Sequence, residues 1–553
     1  MGKGANMTYT FGRRSLLGGG LALGAGAALS ACSSDDGGSP GGGSGGGGPA
    51  EADSIRPAYI PFDGPEPDLV GDGETGVPNA FLTYPDPPPS TGSVPVGITR
   101  DVELMLQVPA VNIPRDKNPW WQKMEEDLGA KFNLNGVDST QYTAKFQTTV
   151  AGGQVPEVTQ IVTVPQLPQL LESRFTDLTP YLSGDNIAKY PSLAAHPSAA
   201  WDMCIINGKI WGITNPRIVA GTVAMTRGDI LESKGIDIMP EISDGEDFLS
   251  LCREVTDRNA GVFAIGQIPQ NWTMTMILES LGAANGWVAE GDRWTSAYET
   301  PEYAQALEIL TGMYAEGLYH PNTYSDLSST GVWFDAGVTV FFAQNFATWA
   351  GRSSSAKFPV GAVQMPQWDG GGKAAKHLGV PGYGAPVGLA KTDDEARIDE
   401  LLKFADYLAS PFGTREFLTV NYGVDGHNYT LEDGRVNRIA DTAEELISGP
   451  AYFGAAGSVS LHVPGKPDAT ETLFNYCQEH IPNGVKDPSQ GMFSETAVSD
   501  GAAANKRLND VMGEIIQGRR QMTEWEAAVE EWKSDAGEQI GRELAEQAAL
   551  AEG

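Results

Sequence analysis

Apolar and polar residues alternate from Val102 to Val108 (Val-Glu-Leu-Met-Leu-Gln-Val), which predicts a β-strand. Trp120 to Lys131 (WWQKMEEDLGAK) instead reads as a helix closed by Gly129. Val158 to Val164 is a second β-rich run, and Gly208-Lys-Ile-Trp-Gly-Ile213 a third. Thr300-Pro301 starts a helix with Tyr303, Leu307, Leu310 and Tyr314 on one face and Gly317 at its end. Ile398, Leu401, Leu402, Ala405 and Leu408 mark another amphipathic face, stopped by Ser410-Pro411. Near the C-terminus, Thr523-Glu-Trp-Glu526 reads as a capping box. Trp525, Val529, Trp532, Ala536, Ile540 and Leu544 follow at helical spacing, a stripe that reads as core packing. Helices alternating with strands predict an α/β fold with largely parallel sheets.

The first hundred residues break this pattern. Arg13-Arg14 precede the short apolar run Gly18–Leu29, which is too short and glycine-rich to span a bilayer. Leu29-Ser30-Ala31-Cys32 then resembles the lipobox of a bacterial lipoprotein signal, in which Cys32 is acylated and becomes the mature N-terminus. Residues 1–31 are therefore expected to be a signal peptide, and the protein to sit outside the cytoplasm, lipid-anchored on the outer face of the cell membrane. The paired arginines match the twin-arginine export route; such pairs also occur in ordinary signal peptides, so both routes stay open. Residues 32–97 are dense in Gly and Pro and are expected to form a tether, flexible at first and stiffer later. Apolar patches at Ile55–Phe62 and Ala80–Tyr84 are placed to pack locally on the folded body.

A chain of 553 residues is too long for one simple core, so two or more lobes are expected. The formal net charge of −34 becomes −37 once Lys3, Arg13 and Arg14 leave with the segment before Cys32. So acidic a chain is a poor partner for nucleic acid or anionic lipid. Cys204, Cys252 and Cys477 remain besides Cys32; one disulfide plus a thiol, or three buried thiols, both fit. The six histidines are scattered, and no metal or cofactor site is expected. HExxH, GxSxG, Walker A and dinucleotide fingerprints are absent from the sequence. Gly370-Gly-Gly-Lys373 reads as a hairpin turn.

Several stretches then fall in a telling order: Phe175-Thr-Asp-Leu-Thr-Pro-Tyr-Leu182, Asn207-Gly-Lys-Ile-Trp-Gly-Ile-Thr214, Tyr314-Ala-Glu-Gly-Leu-Tyr319, and Trp333-Phe-Asp-Ala-Gly-Val-Thr-Val-Phe341 running to Trp349. Asn421-Tyr-Gly-Val-Asp-Gly-His-Asn-Tyr429 and Ile516-Gln-Gly-Arg519 follow. Over residues 98–548 this order resembles the extracellular solute-binding lipoproteins of carbohydrate ABC transporters, of the large oligosaccharide-binding type. The resemblance implies a two-lobed periplasmic-binding-protein-like fold (type II), with discontinuous lobes, a hinge, and a ligand cleft between them. The lobes are expected at 98–220 plus 358–420 and at 221–357 plus 421–553. It also implies a non-enzymatic, monomeric receptor that hands a carbohydrate ligand to ABC transporter permease subunits. Some relatives carry an EF-hand-like calcium loop; the matching stretch here, Thr256-Asp-Arg-Asn-Ala-Gly-Val262, has too few carboxylates for a calcium cage. The competing classes are a secreted lipoprotein acting on polysaccharide, as a hydrolase or lyase, and a peptide-binding or scaffold lipoprotein.

A sugar presents apolar C–H faces and a rim of hydroxyls, so its receptor needs aromatic rings and polar side chains together. Trp349 resembles the aromatic position after the family's G-x-x-A-M strand and is the first candidate, though it also reads as a core residue. Trp272 precedes a helix. Trp120 and Trp121 are adjacent, so one is expected to be buried and the other to face a ligand. Tyr383 sits on the glycine-flanked loop Pro381-Gly-Tyr-Gly-Ala385, and Asn215 and Arg217 follow the WGIT strand as polar candidates.

Overall fold

Two four-stranded sheets organise the chain. The computed structural model describes residues 55–552 apart from 74, 109, 110, 384 and 458, so the expected signal peptide, the expected lipobox with Cys32 and the first part of the expected tether lie outside the described residues. In chain order the sheet strands are β1 (Val102–Gln107), β2 (Phe132–Val137), β3 (Val158–Gln160), β4 (Thr222–Arg227), β5 (Phe263–Ile265), β6 (Thr339–Asn345), β7 (Val360–Val363) and β8 (Val387–Leu389). The first sheet has order β8-β3-β1-β2, with β1 parallel to β2 and β3, and β8 antiparallel to β3. The second has order β7-β4-β6-β5; β5 and β6 are parallel, while β4 runs antiparallel to both β6 and β7. The expected α/β class holds, but the sheets are mixed rather than largely parallel. The reversed strands are those that enter a sheet directly from the other one, without a crossover helix.

Both faces of β1 are covered, as helix-flanked sheets require. Val102, Leu104 and Leu106 join the core of Trp120, Trp121, Phe132 and Leu402, whereas Met105 points to the opposite core of Tyr142, Phe146 and Phe175. The helix Pro119–Leu128 starts where Asn118 accepts the Trp121 N–H and ends at Gly129, whose φ of 82° only glycine adopts cheaply. Helix Pro301–Ala315 forms as expected, and Tyr303 stacks on Trp525 at 5.6 Å. The C-terminal capping box is built two residues before the expected one: Gln521 N–H donates to Glu524, which leaves Thr523 inside the first turn.

Two lobe boundaries move. Val360–Val363, expected in the first lobe, add to the second sheet as β7, because β4 has a free edge there and Ala362 packs with Met225 and Phe342. The chain therefore returns to the first sheet only between Ala374 and Val387. Residues 421–455, expected in the second lobe, stay with the first: Tyr422, Tyr429 and Val436 pack on Phe412 and Phe417, and Phe453 and Ala455 join the first core. A third crossing follows, ending at Leu461 in the second lobe's core.

Part of the span expected to be tether packs on the folded body. Ala80 is 0% exposed and Tyr84 2%, and Asn79–Ala80 pairs in parallel with Ser460–Leu461. Phe81 stacks on Phe412 at 4.4 Å, and the Tyr84 hydroxyl donates to the Thr414 carbonyl at 2.5 Å. A proline-rich strand has little backbone freedom left to lose, so a few apolar side chains suffice to dock it. Cys204, Cys252 and Cys477 are three buried free thiols, each with its pKa pushed up by burial.

One buried carboxyl makes stability depend on pH. Asp406, on helix Glu395–Leu408, accepts the N–H groups of Ser192 (2.8 Å) and Leu193 (2.9 Å). Burial outweighs these donors and pushes its pKa up to about 6. A carboxyl that ionises less readily when folded stabilises fully below the unfolded value of about 4, and that contribution is lost as pH rises through about 6. Asp406→Asn keeps an acceptor oxygen and cannot ionise. It is expected to exceed the parent in stability at pH 8 by on the order of 1–3 kcal/mol, with the gain vanishing by about pH 4. Urea unfolding at both pH values measures this, and an equal gain at each would exclude ionisation as its cause.

Candidate functional site

Three of the chain's crossings between the lobes enclose one open groove of about 520 Å³. Arg217, Ile218 and Gly221 come from the first crossing, His377–Val380 from the second, and Gly457, Ser460 and Leu461 from the third. Trp272 and the start of helix Phe346–Ser355, at the carboxyl end of β6, complete it on the second lobe. Ligands of open α/β sheets bind in this kind of place, beyond the carboxyl ends of strands. The size falls within the ordinary range of small-ligand sites.

The first two crossings hold each other in register. Ile213 exchanges backbone hydrogen bonds with Val387, Tyr383 N–H donates to Asn215 O at 2.9 Å, and Arg217 N–H donates to Pro381 O at 2.8 Å. Gly221 is required where the two crossings come closest, because its φ is +69° and a Cβ there would lie 2.2 Å from His377 O. This ladder sets Tyr383 beside Arg217. The guanidinium lies 4.5 Å above the Tyr383 ring, and Tyr383 stacks on Tyr452 at 4.7 Å with an interplanar angle of 17°. A second such pair stands on the wall, with Arg438 4.2 Å from the Tyr422 ring.

A buried ion pair fixes the second crossing from beneath. Lys376 Nζ lies 2.5 Å from Glu279, with the two side chains 6% and 0% exposed. Glu279 also accepts the His377 N–H at 3.0 Å, and the His377 ring nitrogen meets Ala283 O at 2.8 Å. Burial opposes the lysine charge; Glu279 and Tyr476 outweigh it and hold its pKa above the ordinary value. Glu279 belongs to helix Met274–Ser280, directly after the turn that carries Trp272, so the pair ties Trp272 and the His377–Val380 wall to one support. The lobes touch again where the Gln166 N–H donates to the Glu495 carboxylate at 2.9 and 3.2 Å.

Of the residues expected from sequence, Asn215, Arg217 and Tyr383 cluster, and Arg217 and Trp272 line the groove. Asn215 spends its amide on Ala451 O at 3.2 Å, so it braces the wall. Trp349 does not face the groove. It is 1% exposed, donates Nε1–H to Val360 O, and packs edge-on against Phe346 and Tyr476. Both members of the Trp120–Trp121 pair are buried, where one was expected at the ligand: Trp120 donates to Thr419 O at 2.9 Å, and Trp121 stacks on Phe132 at 5.1 Å. Their helix lies between the first sheet and helix Arg415–Tyr422, which leaves neither ring a free face. Tyr452, Tyr422, Arg438 and Asn345 were not anticipated. Asn345 carried a readable signal, since it caps the helix after β6 by accepting the Thr348 N–H. In the stretch compared with a calcium loop, the Asp257 carboxylate accepts the N–H groups of Asn259 and Ala260.

A family model described as bacterial extracellular solute-binding protein matches residues 120–424, more than half of the chain. The chain belongs to this family of bacterial extracellular solute-binding proteins. Lipoprotein LipO of Bacillus subtilis (strain 168) is 23% identical over 477 residues, covering 80% of this chain and 91% of LipO. The polygalacturonan/rhamnogalacturonan-binding protein YtcQ of the same organism is 21% identical over 458 residues, covering 77% of this chain and 87% of YtcQ. Among solved structures, the alginate-binding protein AlgQ2 superposes with a TM-score of 0.61 at 13% identity, over 83% of this chain and 99% of AlgQ2. The N-glycan transport solute-binding protein NgtS of Streptococcus pneumoniae gives a TM-score of 0.59 at 15% identity, over 82% and 99%. These likenesses show the two-lobed type II fold expected from the sequence. The family and its structural neighbours are binding proteins rather than enzymes. Among the described residues no helix is long and apolar enough to cross a membrane.

Proposed function

We propose that this chain is the lipid-anchored receptor of a carbohydrate ABC transporter. It captures a sugar or oligosaccharide between its lobes and presents the closed form to the permease, itself doing no covalent chemistry. The observation that carries this reading is the groove enclosed by these three crossings, with the Trp272 ring and polar side chains on its wall. An indole ring suits a sugar's C–H face, and a site built on the hinge senses lobe closure directly. The carbohydrate-named relatives YtcQ, AlgQ2 and NgtS support it. Lipoprotein LipO and the lipobox at Cys32 support the anchor.

A thermal-shift screen over mono- and oligosaccharides tests the function. A bound sugar at about 100 times its Kd adds about 2.7 kcal/mol of stability and is recovered unchanged. Trp272→Ala is expected to lower affinity about tenfold or more, at a smaller cost in stability than the loss of a fully buried tryptophan, since its ring only partly packs on the core. Trp349→Ala is expected to do the reverse, costing about 3–5 kcal/mol of stability while the folded fraction binds normally. Cys32→Ala should bind as the parent does and leave the membrane fraction. Conversion of any glycan to product would overturn the receptor reading.

A further inference from the structure

We propose that the groove recognises a carboxylate on the saccharide, a uronic acid unit, and that Arg217 is the residue that receives it. This rests on the sugar-receptor reading above and narrows it to a substrate class.

The first observation is a local reversal of charge. The chain carries 71 Asp and Glu against 37 Lys and Arg, yet the described groove lining includes Arg217 and Arg438 and no acid at all. Of its two histidines, His377 spends a ring nitrogen on Ala283 O, and burial lowers the His462 pKa. The arginines therefore set the sign of the groove. A net charge of −34 repels an anion at long range, but at physiological salt that field is screened beyond about 8 Å, so the groove's own charges govern final docking.

The second observation is that Arg217 is half-buried with its guanidinium unspent. Arg227, Arg352 and Arg397 each hold a carboxylate, on Asp229, Asp335 and Glu157 respectively. Arg217 has no acceptor for its guanidinium among the described residues. Only its backbone N–H is bonded, and its side chain lies over Tyr383, itself backed by Tyr452. A guanidinium resting over an aromatic ring keeps its N–H groups available at its edge, and its planar fork matches a carboxylate through two parallel hydrogen bonds. A neutral sugar hydroxyl would use one of these donors and leave the charge without a counter-ion. The second pair, Arg438 over Tyr422, places another guanidinium in the same groove, which fits a chain with a carboxylate on successive units.

Isothermal titration with matched pairs decides this. The probes are di- to tetrasaccharides of galacturonate, glucuronate and mannuronate, each beside its carboxyl-reduced neutral counterpart. In at least one pair the uronate is expected to bind at least tenfold tighter, with the difference shrinking as NaCl rises from 0.05 to 0.5 M. Arg217→Gln should weaken the uronate at least tenfold and the neutral partner by a clearly smaller factor. Arg217→Lys, which keeps the charge and loses the paired hydrogen bonds, should fall between. Melting temperature checks that both variants fold; if Arg217→Gln does not, Arg217→Lys and Arg438→Gln carry the test, each weakening the uronate selectively. Neutral sugars binding as well as uronates, or an equal loss on both with Arg217→Gln, would overturn the carboxylate assignment and leave the sugar receptor standing. Sulfated sugars bound in preference to uronates would also overturn it. Binding of no saccharide in either form would overturn both readings.

Discussion

A chain beginning at Ile98 is expected to be severely destabilised relative to one beginning at Arg56, although the removed segment reads as a linker. Burying a side chain the size of Val, Phe or Tyr contributes roughly 1.5–3 kcal/mol. The segment buries Val77, Ala80, Phe81 and Tyr84. Its loss would also expose Phe412 and Leu461 and leave the Leu461 carbonyl without the Phe81 N–H that it accepts at 2.8 Å. The sum exceeds about 5 kcal/mol, a large part of the stability of an ordinary folded chain. Two substitutions locate the effect. Tyr84→Ala is expected to cost about 3–5 kcal/mol. Tyr84→Phe, which loses only the bond to Thr414 O, should cost about 1–2 kcal/mol. Urea unfolding reads all three, and a truncated chain melting within a few degrees of the longer one would show that the segment merely rests on the body.

That segment also touches both lobes. Pro57 bridges Gly184 and the Ile60 N–H donates to Ala194 O in the first lobe; Asn79–Ala80 then pairs beside Leu461 in the second. Any relative motion of the lobes carries the segment with it. The anchor proposed at Cys32 would thus attach to a strap that spans the hinge, not to one lobe alone.

What sequence conveyed follows from what is local. The alternation in β1, the capped helix at Asn118 and the Pro301 helix are each decided within a dozen residues, and each formed where expected. The lobe boundaries are decided by pairing between distant segments. Val360–Val363 has the same apolar pattern whichever sheet it joins, and only the open edge of β4 settles it. The site divides in the same way. Asn215, Arg217 and Tyr383 flank strands that pair with each other, so local motifs found them. Tyr452 and Arg438 reach the same wall from more than 200 residues beyond Arg217, with no local signal. Trp349 was misplaced even though its spacing was informative. Phe346, Trp349 and Ser353 recur at i, i+3 and i+7 along one helix and are its three buried residues, the mark of a face turned to the core.

Lys376→Met is expected to cost about 3–5 kcal/mol, because it leaves a fully buried Glu279 carboxylate without its cation. The double variant Glu279→Leu with Lys376→Met removes both charges and should recover most of that loss, since apolar pairs of similar volume often match buried ion pairs in stability. Stability alone does not explain a charged pair at this position. Glu279 also accepts the His377 N–H, and His377 begins the stretch of groove wall that runs beside the Arg217 segment, where the Gly379 N–H donates to Val219 O. In the double variant that N–H loses its acceptor, so the wall is less firmly placed even when the fold is restored. Sugar affinity is therefore expected to stay lowered, by about threefold to tenfold, in a double variant whose urea midpoint is near the parent's. Full recovery of both would make the ion pair a plain structural support. Recovery of stability without affinity would show that its charges hold the second crossing where the ligand needs it, with part of the fold's stability exchanged for one fixed hinge geometry.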